Sequence, residues 1–171
     1  MKKDLAVILG LFVLIIGIVV FAGPFSITTL FNSSPTNNQS QPEQKPKSTT
    51  MLKVKTLNIN ADVAVTADQR KKGLSGREML EINRGMLFVF DTSGNLAIWM
   101  KGMKFPIDII WIGDDKKIVN ISPGAVPEPG KKDSELTVYK SAASARYVLE
   151  INAGLAAANN LQVGDVVDFS L

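Results

Sequence analysis

The chain has 171 residues, 46% of them hydrophobic, and a formal net charge of +3. That length excludes a (β/α)₈ barrel, a two-domain dehydrogenase and a multi-span transporter, and it suits one domain with an appendage. Neither cysteine nor histidine is present, which excludes disulfides, thiol nucleophiles, zinc–thiolate centres, Ser-His-Asp triads and histidine-bound metals. The sequence calls for no cofactor and no resident metal.

In chain order, Met1, Lys2, Lys3 and Asp4 precede an uncharged run from Leu5 to Ala22. As a helix these residues rise about 27 Å, close to the roughly 30 Å of a bilayer core. The run exceeds the apolar core of a cleaved signal peptide, so residues 1–31 are expected to be a signal anchor. Lys2 and Lys3 flank one end and no charge follows until Glu43. The positive-inside rule therefore predicts a single-pass protein of the cell membrane, with a cytoplasmic N-terminus and an extracytoplasmic domain. Residues 32–50 hold no apolar side chain, and such a segment reads as a disordered polar linker.

The folded part is expected over residues 51–171, where 15 basic and 14 acidic side chains nearly cancel. Nucleic-acid binding needs a concentrated basic face, so none is expected. Leu52 to Leu57 alternates as a half-buried strand, and Ala61 to Val65 repeats the pattern after a turn at Asn60. Thr66-Ala67-Asp68-Gln69 is a capping box opening a short helix that ends at Gly73. Strands follow at Met86–Phe90, Leu96–Met100 and Ile107–Ile112. A turn at Gly113-Asp114-Asp115 leads to Lys117–Ile121, then come Leu136–Tyr139 and Arg146–Ile151. Ala153 to Asn160 is alanine-rich and helical by propensity, and Val166 to Leu171 reads as a closing strand. The expected fold is mainly β: a compact antiparallel barrel or sandwich with two short helices, preceded by one transmembrane helix.

Thr66 with Arg70 to Arg77, Gly85 to Phe90, Trp99-Met100-Lys101 with Pro106-Ile107-Asp108, Val148 to Gly154, and Val163-Gly164-Asp165 with Val167 occur in that order. Together they resemble the signatures of the domain of unknown function 192 family, over nearly all of 51–171. The resemblance implies a compact β-rich fold, often exported or membrane-anchored in prokaryotes, and no established activity. Where the family usually carries Asn-Thr after Trp-Met-Lys, this chain has Gly102-Met103, so no polar role is expected there.

Asp108 is the sharpest candidate, because it sits in a strand apolar on both faces. A carboxylate there needs a partner, either Lys101, Arg77, Arg146 or backbone amides near Pro106, or else it serves a ligand. Trp99 and Lys101 share one strand face, as an aromatic and a cation lining a groove would. Arg146 and Glu150 share another and are expected to pair, while Arg77 beside Glu78 extends the charged cleft. Ser141 and Ser144 with Lys140 form a weak serine-nucleophile pattern that also suits a tight packing loop. Met79, Met86, Met100 and Met103 offer thioethers, but without histidine or cysteine they read as core filler before copper ligands. The ligand-binding candidates are thus Arg77, Trp99, Lys101, Asp108, Arg146 and Glu150.

The leading expectation is a membrane-tethered domain binding a small molecule or envelope component. One alternative is an enzyme acting on extracellular or envelope carbohydrate, with Asp108 and Glu150 flanking the scissile bond. Another is an assembly module docking on a membrane partner.

Overall fold

The structure is a computed structural model and describes residues 48–171. The expected anchor and most of the linker lie outside the described residues. No helix among the described residues is long and apolar enough to cross a membrane.

The elements run β1 (Thr49–Val54), β2 (Leu57–Ala64), α1 (Ala67–Lys72), β3 (Arg84–Gly94), β4 (Ala97–Trp99), β5 (Ile107–Ile112), β6 (Ile118–Ala125), a 3₁₀ turn (Asp133–Glu135), β7 (Val138–Lys140), β8 (Ala145–Asn152) and α2 (Leu155–Ala158). β1 begins at Thr49, inside the stretch read from composition as linker. The first hairpin turns at Lys55–Thr56, with Lys55 at φ 53°, and β2 runs straight through Asn60. Asn60 pairs with both Met51 and Arg84, so its backbone lies in the sheet and not in a turn.

Six strands form one sheet in the order β1-β2-β3-β8-β5-β6, and β4 pairs with β7 in a separate two-stranded sheet. The main sheet is open, which corrects the expectation of a closed barrel. It is not wholly antiparallel either, because β2 and β3 run parallel. α1 lies in the connection between them, and parallel neighbours need such a crossover. Val166 to Leu171 forms no full strand. It makes isolated bridges, Lys53 with Asp168 and Lys117 with Val166, so the chain end reaches both β1 and the β5–β6 hairpin.

Alternation divides the core between the two faces of the sheet. Tyr147, Leu149 and Ile151 of β8 join Leu87, Ile110, Ile112 and Phe169 on one face. Val148 joins Met86, Phe88, Ile107, Ile109 and Trp111 on the other. All six residues of β5 are buried, five of them apolar and the sixth Asp108, as its composition predicts for a strand covered on both sides.

Candidate functional site

The site is built on the second of these faces. Glu150 lies in β8, at the middle of the sheet, paired laterally with Met86 of β3 and Ile109 of β5. Its side chain therefore points to the face carrying Met86, Phe88 and Ile109. It is only 5% exposed, and among the described residues no hydrogen-bond or ion-pair partner meets its carboxyl. Burial alone lifts its pKa from 4.5 to about 8, because the charged form loses its water and gains nothing in return.

This carboxyl lines a cavity of about 470 Å³, within the range of small-molecule sites. Phe88 and Phe90 of β3 and Leu74 after α1 supply apolar lining. Ala97, Ile98 and Trp99 of β4 and Val138 of β7 supply a wall, and Arg70, Lys71, Lys72 and Lys101 the basic groups.

Each part is held by identifiable local chemistry. Thr66 Oγ1 accepts from the Gln69 amide at 3.2 Å, and Gln69 Oε1 accepts from the Thr66 amide at 3.0 Å, so the capping box forms as expected. At the other end Gly73 adopts φ 49°, which a side chain would resist, and a Cβ there would meet Phe88 Cζ at 3.3 Å. The reversal sends Leu74 into the core. Arg70 fastens α1 to β3: Nη1 donates to the Val65 carbonyl at 2.6 Å and the Val89 carbonyl at 2.9 Å, and its guanidinium lies 4.9 Å from the Phe90 ring centre.

The β4–β7 wall is pinned at both ends. Ser141 is buried; its amide donates to the Leu96 carbonyl at 3.0 Å, and its Oγ accepts from the Leu96 amide at 3.1 Å. That employs the serine of the weak nucleophile pattern as a clamp. Before β7, Glu128 accepts from the Thr137 amide and hydroxyl, both at 2.8 Å, and from Lys131 at 2.6 Å. The Lys131 bond, then the two Thr137 bonds, hold its pKa down at about 2.

Of the six candidates from the sequence, Trp99, Lys101 and Glu150 meet at this cavity. The Lys101 ammonium lies 5.7 Å from the Trp99 ring centre and pairs with Asp133. The others lie elsewhere. Arg77 and Arg84 hold Asp62, at 2.7 and 2.8 Å. Asp108 pairs laterally with Ile151 and so faces the opposite side of the sheet from Glu150. It accepts from the Gly124 and Ala156 amides, both at 2.9 Å. None of its expected cationic partners reaches it, and it is backbone amides that satisfy it, from β6 and α2. Arg146 bonds Asp114 at 2.5 Å, so the expected Arg146–Glu150 pair does not form. Met86 and Met100 are core residues, whereas Met79 is exposed.

Sequence reasoning missed Phe88, Phe90, Lys71 and Lys72. The first two sat in a continuous apolar run, where alternation says which residues share a face but not which face holds a cavity. The lysine pair read as a solvated surface.

Residues 49–169 match the profile of DUF192, described as an uncharacterised ACR. The chain belongs to the DUF192 family. Among solved structures, this DUF192 chain is similar to a candidate transcription regulator from Sinorhizobium meliloti 1021, with 27% identity and a TM-score of 0.65, covering 72% of this chain and 95% of that one. It is also similar to a protein of unknown function from Novosphingobium aromaticivorans DSM 12444, with 30% identity and a TM-score of 0.62, covering 71% and 84%. No curated relative matches the chain. The five sequence blocks of the DUF192 resemblance thus fall on α1 and its exit, β3, β4 with the start of β5, β8, and the C-terminal turn.

Proposed function

We propose that this DUF192 domain is a ligand-binding module. It is held outside the membrane by the Leu5–Ala22 segment, and the cavity over β3 and β8 receives a small, mostly apolar molecule. The observation that carries the reading is Glu150, a carboxyl without a partner among the described residues, set in a mostly apolar cavity over the middle of the sheet. A structural acid would be paired, as Asp62 is by two arginines and Asp108 by two amides. Buried polar groups without partners are rare and costly, and they concentrate where a ligand completes them. At neutral pH the raised pKa leaves Glu150 protonated, able to donate one hydrogen bond to a ligand and accept another. A glycosidase using Asp108 and Glu150 loses support, since the two carboxyls project from opposite faces of one sheet and share no cleft.

Thermal-shift titration of the full-length chain with cavity-sized alcohols, amines and acids tests the reading. A saturable rise in the midpoint with at least one class is expected. It should be abolished by Glu150→Leu and reduced by Trp99→Ala. No shift with any class, or a shift indifferent to Glu150→Leu, refutes it. For the tether, the full chain should stay with membranes through an alkaline wash, and a chain lacking residues 1–22 should not. Release of both by the wash removes that part.

A further inference from the structure

The cavity is one half of a larger feature. A second hollow of about 380 Å³ adjoins it, lined by Asp68, Lys71, Lys72, Ser75, Trp99, Lys101 and Gly102. Lys71, Lys72, Ser75, Trp99 and Lys101 line both. The three lysines and Trp99 border both hollows; the inner one adds the other aromatic and aliphatic side chains, Arg70 and the protonated Glu150, whereas the outer one adds only Asp68 and Gly102. Two of those ammoniums are uncommitted: Lys71 and Lys72 are exposed and have no ion-pair or hydrogen-bond partner among the described residues. Lysines at a helix end complement its dipole, but that does not require them to edge two confluent hollows. Trp99, 45% exposed, stands between the compartments as a flat apolar wall.

Resting on the cavity reading above, we infer that the ligand is an anionic amphiphile. Its phosphate or carboxylate head sits in the outer hollow against Lys71 and Lys72. Its apolar body passes Trp99 into the inner hollow, and its far end meets Glu150. The shape requires both parts. A purely apolar ligand leaves the lysines unused, and a bare anion finds no reason to enter the aromatic chamber. The rim charge also selects against cationic amphiphiles, whose heads would meet like charge. A free phosphorylated or carboxylated metabolite and an anionic lipid share this chemistry.

The two tryptophans make the test direct. Trp111 is fully buried and Trp99 is exposed, so a ligand-induced fluorescence shift reports Trp99. Octyl phosphate, octanoate, octanol and inorganic phosphate are titrated into the full-length chain and into the Lys71→Gln/Lys72→Gln and Glu150→Leu variants, with Lys53→Gln as a charge control on β1. The two octyl anions should bind more tightly than octanol. Losing both lysines should weaken the anions about five- to tenfold, as two solvent-exposed charge contacts would, and leave octanol and the control unchanged. Added salt should weaken only the anions. Equal binding of octanol and the octyl anions, indifferent to the lysines, overturns the anion subsite while the cavity reading stands. Failure of every octyl compound overturns both. With the chain in phosphatidylcholine vesicles, a Trp99 shift that appears only when phosphatidylglycerol is included marks the lipid as the source. A shift with added octyl phosphate alone marks a soluble ligand.

Discussion

Replacing Glu150 with glutamine keeps its shape and removes its titration. The pKa of about 8 against the usual 4.5 corresponds to about 5 kcal/mol at about 1.4 kcal/mol per unit. The sign follows from which state binds the proton. Below pH 4.5 both folded and unfolded chains are protonated, and Glu150 costs nothing through ionisation. Between 4.5 and 8 the unfolded chain releases its proton while the folded chain holds it, so stability falls by about 1.4 kcal/mol per pH unit. At pH 7 the loss is about 3 kcal/mol, and above 8 it levels off. Glu150→Gln has no such slope, although its unpaired amide carries a constant cost of its own. Urea denaturation followed through the buried Trp111, from pH 4.5 to 9, should therefore show the variant gaining on the wild type with every pH unit up to about 8 and holding a constant lead above it. A stability difference flat across that range would refute the reasoning, because Glu150 would then have to be solvated or paired in the folded chain.

Three further outcomes follow from the packing. Gly85→Ala should destabilise the domain by about 1–3 kcal/mol, as overpacking does, because the added Cβ would meet the Glu150 carbonyl oxygen and Ile59 Cγ2, both at 2.8 Å. An unchanged urea midpoint would show that β3 can move away from β8. Asp108→Ala should cost about 3 kcal/mol or more by leaving the Gly124 and Ala156 amides unsatisfied. It should leave the midpoint gain from a cavity ligand intact where the variant remains folded, and loss of that gain alone would make Asp108 a ligand group. Glu128→Gln should flatten the acid limb of the stability profile. The depressed pKa of about 2 gives stability that is present above about pH 4.5 and lost as the pH falls toward 2, so identical acid limbs in the two proteins would remove Glu128 from that role.

Much of the local structure was written in the chain. The capping box at Thr66 and Gln69 and the five apolar residues of β5 identify their elements because the physics acting on them is local or nearly so. Asn60 misled because its turn preference is weak beside the two strands that flank β2. The parallel β2–β3 pair was hidden for a related reason, since strand direction depends on where α1 carries the chain and not on the pattern within either strand. For the site, residue type drew attention to Trp99, Lys101 and Glu150, but the same reasoning singled out Arg77, Asp108 and Arg146. What separates them is partnership. Asp108 is satisfied by amides from β6 and α2, 16 and 48 residues away, while among the described residues no partner reaches the Glu150 carboxyl. No spacing rule in one sequence reports a missing neighbour.

The C-terminal segment bears on how this protein stays separate from its copies. β1 lies at the border of the main sheet, and the free side of a border strand is a template for pairing with another chain. Here Lys53 exchanges two backbone hydrogen bonds with Asp168, each 2.9 Å, and Thr50 Oγ1 donates to the Ser170 carbonyl at 2.6 Å. The last few residues thus act as a guard rail along β1. Where copies of the domain meet, that rail keeps one sheet from continuing into the next. A chain shortened before Val166 would lose this cover together with the core side chains Val167 and Phe169, and should be both less stable and more prone to self-association.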